Sequence, residues 1–298
     1  MFTHLLVPLD GSNLAESVLP AAAYLAKTLP ASVTLIHMIE KNAPKEIHGD
    51  LHLDDAGAAE TYLREIAGRA FPPGTVIEIH VHSTEVEHVA SGIVEHAREF
   101  ETDLVVMCTH GRGGVRDLLF GNIAHQVIVL GRTPLLLVHP YDRETAPGFT
   151  CHRVLVPLDG QVEHEKGLIK ARDLAKACGA DLDLVMAVHT METLPGKWAA
   201  SRRLMPGSTS EVLEMEFQEA EEYLRKHQQE LEEKGFTVTT RAERGDPAEV
   251  IAGAAQRFRS DLIVLGTHAR PHMDAFWSGS AILKICKRCH IPLLLVPV

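Results

Sequence analysis

The apolar residues of the chain follow two patterns that alternate along its length. Short unbroken runs, such as the one within residues 103–107, are rich in β-branched and aliphatic side chains and are typical of strands buried on both faces of a parallel sheet. Between such runs, apolar residues recur every three or four positions, as Ala15, Val18 and Leu19 do, which predicts amphipathic helices. Strands that alternate with helices in this way predict an α/β fold with a doubly wound parallel sheet.

The same series of elements occurs twice. Residues 154–160 repeat residues 5–11 at an offset of 149, and residues 261–268 repeat residues 103–110 at an offset of 158. A segment rich in proline, glycine and polar residues separates the two halves, as expected of a linker. We therefore predict a tandem duplication of one domain. The predicted divisions are a first domain over residues 1–140, a linker over residues 141–152 and a second domain over residues 153–298.

Length and composition narrow the class of protein. A chain of 298 residues is long enough for two domains, and its net charge of -11 argues against sequence-independent nucleic-acid binding, which needs a basic surface. No apolar run reaches the length of a membrane-spanning helix, and the N-terminus enters a strand too soon to leave room for a signal peptide. The 5 cysteines form a scattered set that fits reduced thiols. We expect a cytoplasmic protein with neither a nucleic-acid nor a membrane partner.

A glycine-rich stretch over residues 108–122 connects one predicted strand to a helical pattern that starts at Ile123. Backbone N–H groups in such a loop can point at an anion, and the N-terminus of the following helix adds partial positive charge. Glycine matters here because a Cβ atom would block the close approach of phosphate or forbid a positive φ. The loop is not a Walker A motif, since no Gly-Lys-Ser/Thr sequence follows it.

Several motifs together resemble the universal stress protein family. They are Val-Pro-Leu-Asp-Gly-Ser at residues 7–12, Thr-His-Gly-Arg at residues 109–112, Gly-Asn or Gly-Ser after the loop, and a closing Pro-Leu-Leu-Leu-Val in each half. The resemblance covers nearly the whole chain. It implies two tandem domains, each a five-stranded parallel sheet of order 3-2-1-4-5 with helices on both faces. It also implies ATP, with Mg²⁺ beside it, as a ligand of some members, whose loop reads Gly-x2-Gly-x9-Gly-Ser/Thr.

The nucleotide site is expected beside the central strand, because ligands bind where neighbouring strands leave on opposite sides. By the resemblance, Asp10 would hold the nucleoside and Pro8 and Met38 would flank the adenine, although Asp10 could equally cap the turn. The nucleotide-binding candidates of the first repeat are Pro8, Asp10, Gly11, Ser12, Met38, Met107, Cys108, Gly111, Arg112, Gly114, Gly121, Asn122 and Ile123. The candidates for a weaker second site are Pro157, Asp159, Gly160, Ala187, Gly266, Ala269, Arg270, Gly279 and Ser280.

The loop departs from the family pattern differently in each half. In the first repeat, Cys108 replaces the first glycine and Asn122 replaces the final hydroxyl residue. In the second repeat, Ala269 replaces the middle glycine, and an alanine forced to a positive φ costs about 1 kcal/mol or more. Bulky Trp277 follows where phosphate should pass. We therefore predict that the first repeat is the better nucleotide site.

Two further patterns suggest other chemistry, and we favour a structural interpretation of both. Cys286 and Cys289 match the c-type haem attachment pattern, but they align with an ordinary helix end of the first repeat. His80 and His82 share one face of a strand whose alternating pattern predicts a sheet edge, and with His88 they could bind a metal. Solvated edge-strand histidines are the favoured explanation, so no metal site is predicted.

The leading functional hypothesis is a cytoplasmic stress-response protein that binds ATP or a related adenine nucleotide as a regulatory ligand. At most slow ATP hydrolysis is expected, because the sequence offers no candidate catalytic base. The alternative is an interaction protein that binds no nucleotide and acts through its dimer-like assembly. A nucleotidyl-transfer enzyme is disfavoured, since neither His-x-Gly-His nor Ser-Gly-Gly-x-Asp-Ser occurs.

The closing strands of the two halves predict how the chain assembles. Pro134–Val138 and Pro292–Val296 are apolar and would lie at a sheet edge, where an uncovered strand invites pairing. In the family this edge pairs with that of a second domain. We predict an intramolecular pseudo-dimer through these two strands, and we leave open whether the chain forms a homo-oligomer.

Overall fold

The computed structural model describes residues 1–41, 43, 46–47, 50–109, 121–140, 148–194, 198, 203–267 and 279–298. The chain divides into two compact units. The first comprises residues 1–150 together with residues 292–297, and the second comprises residues 151–291 together with Val298.

Strands and helices alternate along the described chain. The strands are β1 (His4–Pro8), β2 (Ser32–Glu40), β3 (Glu46–Ile47), β4 (Asp50–Leu51), β5 (Ile77–Val86), β6 (Leu104–Cys108), β7 (Leu135–Val138), β8 (Arg153–Leu158), β9 (Asp181–Val188), β10 (Val238–Arg244), β11 (Leu262–Thr267) and β12 (Leu293–Pro297). The helices are α1 (Asn13–Glu16), α2 (Leu19–Thr28), α3 (Ala56–Ala70), α4 (Val89–Glu99), α5 (Asn122–Leu130), α6 (Glu165–Cys178), α7 (Pro206–Glu232), α8 (Pro247–Phe258) and α9 (Gly279–Arg288), and a short 3-10 helix covers Val162–His164.

The first unit is built on a parallel sheet of strand order β5-β2-β1-β6-β7. β1 pairs in parallel with β2 on one side and with β6 on the other, and β5 pairs with β2 at the edge. This is the predicted order 3-2-1-4-5. β12 joins the unit antiparallel to β7, with Leu294 opposite Leu136. The short strands β3 and β4 form a separate antiparallel pair.

The second unit repeats this arrangement with the parallel order β10-β9-β8-β11. β8 pairs with β9 and with β11, so it takes the central position that β1 has in the first unit. The predicted fold class, a duplicated doubly wound α/β domain, is confirmed. Among the described helices, none combines the length and the apolar composition needed to span a bilayer.

The central strand of each repeat is buried and fastened at its start. Leu5 and Leu155, in β1 and β8, are completely buried. Asp103 accepts hydrogen bonds from the backbone N–H groups of Thr3 at 2.8 Å and His4 at 3.0 Å. Asp261, its counterpart, accepts one from the backbone N–H of His152 at 2.6 Å. The repeated aspartates therefore hold the central strand in register with its neighbour.

The segment after β1 forms two short helices, and Pro20 explains where the second begins. Pro20 lies in the first turn of α2, where the backbone N–H that proline lacks has no helical acceptor. Ser12 caps α1, because its Oγ accepts a hydrogen bond from the backbone N–H of Ala15 at 3.2 Å.

Candidate functional site

A cleft opens at the carboxyl ends of β1, β2 and β6, where the strand order of the first unit reverses. Predicted nucleotide-binding residues in its walls are Pro8, Asp10, Met38, Met107, Cys108 and Ile123. The other described lining residues are Leu9, Ala15, Ile36, His37, Glu40, His52, Val89, Ile93 and Ala124. The space between the walls, counted out to the open mouth, is about 740 Å³. Small-molecule sites are typically about 300–1,000 Å³ in volume, so the cleft has room for a ligand of that size.

Asp10 is held in the cleft wall by the turn that follows β1. Its Oδ1 accepts hydrogen bonds from the backbone N–H of Ser12 at 2.9 Å and from Ser12 Oγ at 2.6 Å. Gly11 adopts φ 90°, which favours glycine, and Ser12 is buried. Gly11 and Ser12 are not among the described lining residues. They shape the turn that presents Asp10 to the cleft.

The first turn of α5 borders the same cleft. Gly121 occupies the N-cap position, and Ile123 and Ala124 line the wall. Asn122 Oδ1 accepts a hydrogen bond from Gln126 Nε2 at 3.1 Å. The N–H groups of a first helical turn lack helical acceptors, so this end of α5 is suited to an anion. The predicted phosphate-loop residues Gly111, Arg112 and Gly114 lie outside the described residues.

The sequence patterns missed one wall of the cleft, which comes from α4. Val89 and Ile93 lie one turn apart on this helix and face the cleft. Their four-residue spacing indicates an apolar helix face, but it does not indicate which end of the sheet that face covers. His37 was also missed. Its two ring nitrogens lie 2.8 Å from Leu9 O and 2.9 Å from Leu53 O, so the buried ring connects two backbone segments beside the cleft.

Asp159, the counterpart of Asp10, is bonded inside the second unit. Its Oδ2 lies 2.6 Å from His164 Nδ1, and its Oδ1 accepts a hydrogen bond from the backbone N–H of Gln161 at 3.1 Å. The side chains of Asp159 and His164 are 2% and 1% exposed. Because an ionised carboxylate only accepts hydrogen bonds, Nδ1 carries the proton. At the offset of 149, His164 corresponds to Ala15, which lines the first cleft.

Gly266 allows two backbone segments to touch in the second unit. A Cβ atom on Gly266 would lie 2.5 Å from His164 O, and one on Gly167 would lie 2.6 Å from the backbone N of Gly266. Such distances are too short for real Cβ contacts, so both glycines are needed where the start of α6 packs on the end of β11. Close backbone packing therefore explains Gly266 without a ligand.

The remaining candidates of the weaker site are distributed around the same strand ends. Pro157 lies in β8, Ala187 lies in β9, and Gly160 adopts φ 78° in the turn after β8. Gly279 begins α9. Ala269, Arg270 and the side chain of Ser280 lie outside the described residues.

The two repeats also share a tyrosine–carboxylate contact next to the turn. Tyr62 OH donates to Glu16 Oε1 at 3.3 Å, and Tyr223 OH donates to Glu165 Oε1 at 2.8 Å. Burial raises the pKa of both tyrosines, and the neighbouring carboxylates raise these pKa values further. The tyrosines therefore stay protonated and act as fixed donors, which hold α3 against the end of α1 and α7 against the start of α6.

The cysteine pair of the haem-like motif is enclosed in protein. Cys286 and Cys289 are both buried. Burial and the neighbouring Cys289 raise the pKa of Cys286 to about 12, and burial also raises the pKa of Cys289. Thiols act as nucleophiles and metal ligands in their ionised form, so two buried, protonated thiols support the structural interpretation.

A cluster of histidines lies at the edge of the first sheet, and its composition differs from the one considered from the sequence. His80 and His82 on β5 meet His96 on α4, whereas His88 is exposed. His80 and His82 are half-buried at the sheet edge, and the buried His96 joins them, a contact that the interpretation as solvated edge residues did not include. Burial lowers the pKa of His80, and His96 and His82 lower it further. The sequence spacing could not identify His96, because the contact depends on how α4 packs on β5.

The fold and the cleft define a class of protein, a duplicated doubly wound α/β chain with a ligand-sized cleft beside the central aspartate of its first repeat. The model of the universal stress protein family matches residues 1–139 and, again, residues 150–297. The chain therefore belongs to the universal stress protein family, and the resemblance inferred from the motifs is confirmed.

Individual relatives match the length of one repeat. The chain is 31% identical over 139 residues to universal stress protein Sll1654 of Synechocystis sp., covering 46% of this chain and 86% of that protein. It is 25% identical over 150 residues to universal stress protein YxiE of Bacillus subtilis, covering 46% of this chain and 99% of that protein. A crystal structure of a universal stress protein from Archaeoglobus fulgidus matches with a TM-score of 0.69 at 17% identity, covering 99% of this chain and 96% of that one. This last likeness concerns the fold.

Proposed function

We propose that the chain is a stress-response protein that binds ATP or a related adenine nucleotide as a regulatory ligand in the cleft of its first repeat. The observation that carries the proposal is the placement of Asp10. Ser12 fixes its carboxylate at the end of the central strand, among apolar walls and at the point where the strand order reverses. Open α/β sheets bind their ligands at this point.

The chemistry of the described walls suits an adenosine group. Met38, Ile93 and Met107 offer apolar surface to the faces of a base. Asp10 can accept hydrogen bonds from ribose hydroxyls, and the first turn of α5 can receive phosphate oxygens. Mg²⁺ would enter with the phosphates as their counter-ion. We assign this site to binding, with at most slow hydrolysis.

The second repeat supports the proposal by contrast. Its aspartate, Asp159, is bonded to His164, and the backbone of His164 packs on Gly266 at the matching strand end. A nucleotide bound there would have to displace a buried hydrogen bond. We therefore assign the stronger site to the first repeat.

Calorimetric titration of the full chain with MgATP tests the proposal. We expect Asp10→Ala to weaken binding about 10- to 150-fold, because hydrogen bonds to a charged group contribute about 1.5–3 kcal/mol. Asp159→Ala is the matched control and should keep the wild-type affinity. Titration with GTP tests whether the base is recognised, and titration with adenosine tests whether the phosphates contribute.

The outcomes separate the two functional hypotheses. Absence of binding at millimolar ATP would contradict the nucleotide proposal and favour an interaction protein that binds no nucleotide. Binding that is lost in Asp159→Ala and kept in Asp10→Ala would retain the nucleotide but reverse the assignment of the repeats. Gly121→Val and Gly279→Val provide a second matched pair at the helix that follows each loop.

We also propose a cytoplasmic location and an intramolecular pseudo-dimer through Pro134–Val138 and Pro292–Val296. The antiparallel pairing of β7 with β12 supports the pseudo-dimer. Buried cysteines with raised pKa values are compatible with a reducing compartment. Light scattering of the purified chain would show whether it forms a homo-oligomer as well.

A further inference from the structure

Three imidazole rings meet between the edge strand β5 and helix α4. His80 and His82, two positions apart on β5, share a face of the strand. One ring nitrogen from each of His80, His82 and His96 lies within 4.8 Å of the others, and His96 Nε2 is 2.9 Å from His82 Nδ1. Two nitrogens bound to one tetrahedral Zn²⁺ at about 2.0–2.1 Å lie roughly 3.3 Å apart. Small ring rotations would therefore bring the three nitrogens to this spacing.

The surroundings hold the rings and leave a nitrogen available. His80 Nε2 is buried and has no hydrogen-bond partner among the described residues. Phe100 stacks on His96 with an interplanar angle of 21° and meets the edge of His80. His96 Nδ1 lies 3.0 Å from Glu99 Oε2, close enough for an ion pair although not aligned as a hydrogen bond. A carboxylate at the far nitrogen is the usual support of a metal-bound imidazole.

The second repeat joins the corresponding strand and helix by an ion pair. His82 lies beside Met38 in the sheet, and Glu243 lies beside Ala187, the counterpart of Met38. Glu243 forms an ion pair with Arg257 of α8. The second repeat thus joins its edge strand to the following helix through opposite charges. The first repeat has three imidazoles there, which repel one another when protonated and accept a shared cation when neutral.

We propose that His80, His82 and His96 bind one Zn²⁺ ion, which clamps α4 to the edge strand β5. Imidazole nitrogen suits Zn²⁺, and three protein ligands leave a fourth position for water. The three rings come together only in the folded chain. Zn²⁺ therefore binds the folded state in preference to the unfolded state and stabilises the first unit. The site does not depend on nucleotide binding, although α4 also lines the cleft through Val89 and Ile93.

The test is a zinc titration of the full chain after treatment with a chelator. Calorimetry should show one site, and His82→Ala should weaken it more than about 100-fold, since even the loss of a supporting partner typically costs 10- to 100-fold. His88→Ala is the matched control, because His88 is an exposed histidine at the start of α4. It should bind Zn²⁺ as the wild type does. Replacing Zn²⁺ by Co²⁺ should give the visible absorption of a tetrahedral site in the wild type and in His88→Ala only.

His96→Gln is a second ligand variant, so that the test does not depend on one substitution. Circular dichroism establishes that each variant is folded. Zinc should raise the midpoint of thermal unfolding in the wild type and in His88→Ala, and in neither ligand variant. Equal zinc affinity in the wild type and His82→Ala would overturn the proposal. So would a loss in His88→Ala as large as that in His82→Ala, because adventitious binding by surface histidines would explain both.

Discussion

His164 Nδ1 lies 2.6 Å from Asp159 Oδ2, and both side chains are almost completely buried. The matching aspartate of the first repeat, Asp10, accepts its hydrogen bonds from Ser12 and lines an open cleft. Ala15 occupies the position that corresponds to His164. The duplication has kept the aspartate at the end of the central strand and has changed its partner, so the two repeats differ chemically at one shared position.

Replacing Asp159 by alanine should lower stability and leave ATP affinity unchanged. The variant keeps the His164 imidazole buried and removes the acceptor of its Nδ1–H, and removing the acceptor of a buried donor costs about 1–3 kcal/mol. Urea unfolding measures the loss, and calorimetry on the folded variant measures ATP affinity. The double variant Asp159→Ala/His164→Ala is the control and should recover part of the stability. An unchanged unfolding free energy in Asp159→Ala would contradict the structural role of the pair.

Introducing histidine at position 15 should close the first cleft. An imidazole at this position can bond to Asp10 as His164 bonds to Asp159, and it would occupy space that Ala15 leaves open. We expect ATP affinity to fall at least about tenfold, since the bond of Asp10 to the ligand is lost. Ala15→Ser is the control, because a small side chain leaves the space open. Wild-type affinity in folded Ala15→His would show that the ligand does not approach this wall.

Much of this architecture is predictable because it rests on local patterns. The unbroken apolar run in residues 103–107 predicts the buried strand β6, and the alternation over residues 76–82 predicts the edge strand β5. The repeat offsets then carry each assignment from one half to the other. The family resemblance assigns Asp10 and Cys108 to one site, and the strand pattern agrees because parallel strands bring their carboxyl ends to the same edge. Both residues line the cleft.

The contacts that sequence patterns missed depend on how separate elements pack. His96 reaches His82 from α4, and no spacing along the chain fixes that approach. Sequence comparison shows that histidine replaces Ala15 in the second repeat, but it does not show that His164 turns its ring toward Asp159. Side-chain rotamers and helix placement decide these contacts, and hydrophobic periodicity encodes neither.

The raised pKa of Cys286 predicts both low reactivity and a loss of stability at alkaline pH. Its thiol pKa rises from 9.0 to about 12 on folding. Between these pH values the folded state therefore keeps a proton that the unfolded state releases. The contribution of Cys286 to the unfolding free energy is consequently complete below pH 9.0 and decreases as the pH rises toward 12. Urea unfolding of the wild type and Cys286→Ala at a series of pH values measures this contribution. A wild-type stability that rises above pH 9.0 relative to the variant would contradict the sign.

The same burial should protect Cys286 and Cys289 from alkylation. At about pH 8 an ordinary thiol is partly ionised, whereas a thiol with a pKa near 12 is ionised in roughly one molecule in ten thousand. Peptide mapping after iodoacetamide treatment should find both residues unmodified in the folded chain and modified in guanidinium. Cys178 is partly exposed and serves as the internal reference. Modification of Cys286 at the rate of Cys178 would show that the pair is accessible.

Substituting Gly92 by alanine should weaken ATP binding with little loss of stability. Gly92 lies in α4, and a Cβ atom there would overlap Met38 Cε at the cleft wall. The tip of a methionine is flexible, so the side chain can move, but its movement changes the surface offered to the base. Alanine also gains up to about 1 kcal/mol of helix propensity over glycine, which offsets the cost of moving Met38. Calorimetry and urea unfolding measure the two effects separately.

Gly68→Ala provides the matched control for this prediction. Gly68 lies in α3, and a Cβ atom there would meet nothing within 4 Å, so the variant should gain helix stability and keep the wild-type ATP affinity. A double-mutant cycle with Met38→Ala then isolates the contact. Once the Met38 side chain is truncated, Gly92→Ala has nothing to displace and should cause no additional loss of affinity. An equal loss in both backgrounds would mean that Gly92→Ala acts through the backbone of α4 rather than through Met38.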